Sequence, residues 1–388
     1  MKLVEEIVAI QSDLIAWRRA IHAKPELGFK ETATASFVAA KLDEFGIQVH
    51  RGYGNTGVVG VLREGNDLRS IGLRADMDAL PIEEANSFEH RSQHANVMHA
   101  CGHDGHTAML LGAAKYLAES RNFSGQINLI FQPAEEGLGG AVAMINDGLF
   151  RDFPCDRLYA MHNAPGLPVG QFAAVPGVRT AAGAIFDLTI QGKGGHGAFP
   201  HLTIDPVPIA ANLVTALQSI VSRTLSPDEN VVFSITKLRA GDAYNVIPQT
   251  ATLSGTARAF STERIDEVKT RVEQISQGVA TAFGAEVNVF FEVLFHPVIN
   301  EAGATSVASA ICQDLVGERN VLTTGKPSSG SEDFSFMSEL VPSCYLAIGN
   351  GENSRSLHNP GYDFNDKAIV YGSSFFARVA ERELPRQA

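Results

Sequence analysis

Cysteine is scarce in this chain: Cys101, Cys155, Cys312 and Cys344 are the only four in 388 residues. So sparse and scattered a set does not make a disulfide framework, and it suits a reducing compartment with at least one thiol free for chemistry. Basic charge is also short. Lys and Arg number 31 against 43 Asp and Glu, a formal net charge of −12 with no basic cluster, which argues against nucleic acid as a partner. Long apolar runs are missing too, since no window reaches the roughly 20 consecutive apolar residues that a membrane-spanning helix needs. The opening MKLVEEIVAIQSDLIAW is broken by Glu5, Glu6 and Asp13 and lacks the apolar stretch of a signal peptide. The expectation is a soluble, cytoplasmic protein with neither nucleic-acid nor membrane partners. Repeats and low-complexity tracts are absent as well. Gly139-Gly140 and Gly194-Gly195 lack the spacing of a nucleotide-binding loop, and no Gly-x-Ser-x-Gly supports a serine hydrolase.

What remains is a chain rich in material to bury, 45% apolar and 19% charged, and too long for one hydrophobic core. Residues 3–22 and 31–45 read as helices, the second ended by Gly46. Short apolar runs at Ile71–Ala75, Ile127–Phe131 and Leu158–Met161 read as buried strands, and Gly105–Glu119 as a helix capped by Asp104. This alternation predicts an α/β domain with a mostly parallel sheet flanked by helices. From about residue 183 the order changes to strand Ile185–Gln191, helix Pro206–Arg223, strands Val231–Leu238 and Thr250–Ala259, helix Thr262–Phe283 and strand Glu286–Glu292. That is the βαββαβ order of a ferredoxin-like domain. The predicted division is a larger domain of residues 1–182 and 294–388, with 183–293 inserted.

The strongest local signal is Met98-His-Ala-Cys-Gly-His-Asp-Gly-His106, a thiol and three imidazoles at a helix entrance, a soft and borderline set that suits a transition metal. Cys101 and His103 flank Gly102, where a loop turns both inward, and are the preferred pair. His99 and His106 are weaker candidates, His106 falling in the first helical turn where it packs or supports a ligand. Taken alone, the stretch is equally readable as a buried cysteine with surface histidines. Phe131-Gln-Pro-Ala-Glu-Glu-Gly137 places two carboxylates after a buried strand. Adjacent acids usually mark a solvated loop, yet on an extended backbone one would hold a metal while the other faces its water as general base. His162 and His358 complete the set. Cys101, His103, Glu136, His162 and His358 are too many for one tetrahedral site but suit two metals sharing a bridge, for which the Cys101 thiolate is a candidate.

Eight stretches carry a resemblance: 74–82 (RADMDALPI), 99–106 (HACGHDGH), 131–137 (FQPAEEG), 161–163 (MHN), 192–201 (GKGGHGAFPH), 245–248 (NVIP), 331–334 (SEDF) and 357–362 (LHNPGY). In these, and in their order along nearly the whole chain, the sequence resembles the M20 metallopeptidase family, in particular its aminoacylase and hippurate-hydrolase branch with the amidohydrolases of indole-acetyl amino acids. The resemblance implies Cys101, His103, Glu136, His162 and His358 as ligands of two divalent ions (zinc, manganese, cobalt or nickel) and Glu135 as the catalytic carboxylate. Asp78 would orient a ligand. The inserted domain would be a lid through which a homodimer forms, with His196 catalytic and Asn245 and Arg258 binding substrate, since a guanidinium holds a carboxylate bidentately. The implied activity is metal-dependent hydrolysis of small N-acyl amino acids. A dipeptidase or aminopeptidase with the same metal site is the alternative. A non-catalytic binder of N-acyl amino acids is a weaker one, because pure binding gives Glu135 no task.

Overall fold

The computed structural model describes residues 2–226 and 228–386. The chain divides into two units, Met1–Arg179 with Ile299–Lys326 and Asp333–Ala388, and Thr180–Val298 with Pro327–Glu332. Each is built on its own apolar core.

The first unit is organised by an eight-stranded sheet whose centre is four parallel strands, Gly125–Gln132, Ser70–Asp76, Arg157–Pro165 and Ser343–Gly351, in that spatial order. Ser70–Asp76 is buried at every position, as a strand covered on both faces must be. Antiparallel strands Gly57–Glu64 and Gln48–Tyr53 extend one edge, and the short Phe172–Ala173 and Val321–Leu322 extend the other. The helix His103–Ser120 packs against Gln11–His22, Ile369–Glu383 and the strand Ser70–Asp76.

Local differences from the sequence reading have local causes. The expected N-terminal helix is two, Glu5–Ala9 and Gln11–His22. The metal-motif helix begins at His103, two residues before the predicted Gly105, and is preceded by Gly102 at φ 91°. Asp104 therefore does not cap it. Its carboxylate is buried in the first turn, 2.6 Å from Arg18 Nε and 2.8 Å from His22 Nδ1, and this tertiary pairing wins over the capping preference of an isolated Asp.

The second unit is a four-stranded antiparallel sheet of Ala182–Gln191, Val232–Ala240, Thr250–Ala259 and Glu286–Phe295 with helices Pro206–Leu217 and Thr262–Phe283. Numbered in chain order, its strands lie 2-3-1-4, the ferredoxin-like arrangement. The helix expected over 206–223 stops at Leu217 and gives way to a wider turn at Ile220–Thr224. The unit is broader than 183–293 because its ends are tied together: Thr180 bridges Ser328, and the Val298 amide donates to Thr180 Oγ1 at 3.0 Å.

Gly105 shows how tightly the metal-motif helix is seated. A Cβ there would lie 2.3, 2.4 and 2.5 Å from three ring atoms of Phe364, itself 1% exposed. Alanine is preferred over glycine inside a helix by about 1 kcal/mol, whereas overpacking a closed core costs about 1–3 kcal/mol. At such distances the overlap wins. Gly105→Ala should therefore lower the urea midpoint of the first unit's unfolding; a raised midpoint would contradict this packing.

Candidate metal centre

The candidate residues of the first unit gather at the carboxyl ends of its parallel strands, where sites form in open α/β sheets. Asp78 follows the strand ending at Asp76, Glu135 and Glu136 follow the one ending at Gln132, and His162 lies in Arg157–Pro165. His358 comes after Ser343–Gly351, and Cys101 and His103 stand at the helix entrance.

Ligand-type atoms of Cys101, His103 and His162 lie within 4.8 Å of one another, as do those of Cys101, Glu136 and His358, and those of His103, Glu135 and Glu136. Cys101, His103 and Glu136 each belong to two of these groups. Cys101 Sγ is 3.4 Å from His162 Nε2, and His358 Nε2 is 3.2 Å from Glu136 Oε1. Glu135 Oε2 stands 4.0 Å from His103 Nε2.

Neighbouring groups fix which nitrogens are free. His103 Nδ1 donates to the Asp78 carbonyl at 3.0 Å and faces Asp78 Oδ1 at 3.2 Å, so Nε2 is the nitrogen left to meet a metal. His162 Nδ1 donates to the Asn163 carbonyl at 2.8 Å, which leaves its Nε2 facing Cys101. His106 is committed elsewhere: Nδ1 donates to Asp76 Oδ1 at 2.6 Å and Nε2 accepts from the Asn163 amide at 3.0 Å. It is a supporting residue. His99 is buried, joins none of the metal-type clusters among the described residues, and burial pushes its imidazole down to about 4.

The donors fit a pair of divalent ions. His103 Nε2 is buried without a hydrogen-bond partner, although an unsatisfied buried polar atom is costly, and Glu136 Oε1 is buried facing His358. Burial raises the Cys101 thiol well above its usual range and lowers the His162 imidazole to about 3. His103 is raised despite its burial, chiefly by the Asp76 carboxylate. A thiol that must lose its proton on ligation makes ion binding proton-coupled.

Glu135 and Glu136 do not leave an extended strand as the sequence suggested. They lie on a turn entered through Ala134 at φ 53° and left through Gly137 at φ 79°. Asp78 Oδ2 accepts from the Glu136 amide at 3.0 Å, and Glu31 Oε1 accepts from the Ala134 amide at 2.8 Å. Glu31 is a residue that sequence reasoning missed. It is fully buried, its carboxyl raised by that burial, and its other oxygen accepts from Thr56 Oγ1 at 2.6 Å. No motif announces it. Arg74 and Asp76, by contrast, stood inside a quoted motif without a role.

His196, Asn245 and Arg258 belong to the second unit. The short strand Gly195–His196 pairs with Val246–Ile247, and the Gly197 amide donates to the Asn245 carbonyl at 2.8 Å, so His196 and Asn245 lie side by side on an exposed strand pair. His196 Nδ1 accepts from the Ala198 amide at 3.1 Å, which places the ring proton on Nε2. Arg258 alternates with the buried Ala257 and Ala259 and so faces away from the helices. Its Nη1 donates to Ser331 Oγ at 2.7 Å, and it lies across Gly183, where a Cβ would be 1.8 Å from the guanidinium.

Comparison with known proteins agrees with this geometry. The model of the family described as peptidase family M20/M25/M40 matches residues 72–382. The chain is 44% identical to a hippurate hydrolase of Campylobacter jejuni, over 99% of this chain and 100% of that protein. It is 37% identical to IAA-amino acid hydrolase ILR1-like 4 of Arabidopsis thaliana, over 97% of this chain and 88% of the relative. Among solved structures, the YXEP protein of Bacillus subtilis, described as a dinuclear metal binding peptidase from the M20 family, superposes with a TM-score of 0.85 at 31% identity, covering 97% of this chain and 99% of that one. No described helix is long and apolar enough to cross a membrane.

Because Asp78 touches both His103 and Glu136, Asp78→Ala should loosen two donors at once. Metal affinity measured by competition with a chromogenic chelator is expected to fall about 10–100-fold. An unchanged affinity would show that neither donor depends on Asp78.

Proposed function

The chain belongs to peptidase family M20/M25/M40 and is a metal-dependent amidohydrolase; from that premise we propose that it hydrolyses N-acyl amino acids, hippurate-like conjugates among them, to a carboxylic acid and an amino acid. The observation that carries this reading is the convergence of Cys101, His103, Glu136, His162 and His358 beside a carboxylate that need not serve as a ligand, Glu135. The names of the relatives support the aromatic acyl group.

Cys101, His103, Glu136, His162 and His358 would hold two divalent ions, zinc, manganese, cobalt or nickel. When bound, such ions polarise the scissile carbonyl and make water acidic enough to attack near neutral pH. Glu135 takes the proton of the attacking water on its carboxylate and delivers it to the leaving amine nitrogen. His196 donates its Nε2 proton in a hydrogen bond to the oxygen that gains negative charge. Arg258 holds the carboxylate of the amino acid, and Asn245 orients the substrate beside His196. Half-burial lowers the Arg258 guanidinium from its usual value, and such desolvation strengthens a charge pair with an incoming carboxylate. The protein works as a homodimer in the cytoplasm, a location in keeping with four unpaired cysteines. Its second unit is the lid, and His196 acts in trans on the metal centre of the partner copy.

The test of the reaction is hydrolysis of N-benzoyl, N-indoleacetyl and N-acetyl amino acids by chelator-treated protein before and after divalent metal is restored. Activity should vanish and return, and full activity of metal-free protein would end the proposal. Glu135→Gln should keep its metal and lose about 10²–10⁴-fold in kcat, whereas Glu136→Gln should lose metal. Equal metal loss in both, or activity retained in Glu135→Gln, would overturn this division of roles. For the trans arrangement, inactive His196→Ala is mixed with inactive Glu135→Gln. A mixed dimer then holds one complete site and regains part of the wild-type activity; exchange of subunits confirmed by mass, without regained activity, would refute it.

A further inference from the structure

Five residues of the quoted motifs take no part in the chemistry above: Arg74, Asp76, His106, Asn163 and Tyr362. All are buried. They form one hydrogen-bonded chain behind the metal donors, and its direction is set at each step. Arg74 Nη1 donates to Asp76 Oδ2 at 2.9 Å, and His106 Nδ1 donates to Asp76 Oδ1 at 2.6 Å. Since a carboxylate only accepts, His106 Nε2 is left as an acceptor, and it receives the Asn163 backbone amide at 3.0 Å and its Nδ2 at 3.1 Å. That fixes the Asn163 amide. Nδ2 also donates to the Cys101 carbonyl at 2.6 Å, and Oδ1 accepts from Tyr362 Oη at 2.6 Å. A flipped amide would set its oxygen against two acceptors, His106 Nε2 and the Cys101 carbonyl, and lose both bonds.

The chain meets the backbone of the ligands at Asn163. Cys101 precedes Gly102, whose φ of 91° turns the backbone into the helix, and a Cβ at Gly102 would lie 2.4 Å from Asn163 Nδ2 and 2.6 Å from Tyr362 Oη. Asn163 is also the residue after His162, so one side chain grips the backbone of one donor while its own backbone continues into the other. We infer that Asp76, His106, Asn163 and Tyr362 act as a positioning relay that holds the Cys101 thiolate and the His162 imidazole at the spacing two ions need. The inference rests on the ligand set proposed above. A chain serving core packing alone would set stability without setting how the thiolate meets a metal.

Tyr362→Phe removes one oxygen from the relay, and Asn163→Asp keeps the side-chain shape and the acceptor for Tyr362 while replacing the donor to Cys101 by an acceptor. The probe is Co²⁺ added to metal-free protein, with folding checked by circular dichroism before addition. Both variants should bind Co²⁺ about 10–100-fold more weakly than wild type, with a weakened or shifted thiolate-to-cobalt absorption band. Should Tyr362→Phe fail to fold, Asn163→Asp decides. Cys101→Ser is the reference. If it keeps the wild-type band, the ligand assignment itself is wrong. If it loses the band while both relay variants keep wild-type band and affinity, the relay is overturned and the ligand assignment stands.

Discussion

The carboxylate of Asp78 holds together segments that the chain keeps apart. One oxygen fixes the ring of His103, the first residue of the metal-motif helix, and the other accepts the backbone amide of Glu136. The two oxygens of a carboxylate have a fixed separation, so the helix entrance and the glutamate turn are set relative to one another by a rigid group rather than by two flexible contacts. Glu31 does the same service on the far side of that turn, where Ala134 occupies a left-handed conformation that an alanine adopts only under constraint. Glu135 is held from both flanks. The turn thus sets the position of Glu135 through the backbone amides on either side of it.

Such order requires many ionisable groups out of water. Behind the helix entrance Arg18 is fully buried and shared among Asp104, Asp363 and Asp366, with His22 also on Asp104. A buried ion pair is weak ground for stability, because desolvation offsets most of its attraction, but removing one partner typically costs about 3–5 kcal/mol. Its value here is therefore placement. Asp104 is the neighbour of His103, and pinning it on Arg18 sets the first turn of the helix and with it the direction of the imidazole.

Much of this was legible in the sequence, and what was not had a physical reason. Alternating apolar runs gave the sheet and its helices, and the βαββαβ order appeared without adjustment because each element carried its own period. The start of the metal-motif helix was misplaced because a local rule, Asp as a cap, competes with an ion pair to a residue 86 positions away. Glu31 left no trace in the sequence, since its role is to meet a backbone amide 103 positions on. His99, His103 and His106 are alike in sequence, and only their partners separate them: His106 has both nitrogens engaged and His103 one, while those of His99 are without partners.

The two units also differ in how they present polar groups. In the first, the supporting residues are buried, and their carboxylates, amides and rings fix one another's orientation, an arrangement that tolerates little change in shape. In the second, His196 and Asn245 stand exposed where two short strands pair, His196 on a glycine-rich stretch, and Arg258 rests on a serine and a missing Cβ. Groups of that kind alter reach and orientation with small changes in the surrounding loop. The first unit therefore presents one fixed arrangement of polar groups, whereas the setting of those in the second depends on a short exposed strand pair and on the seat of Arg258.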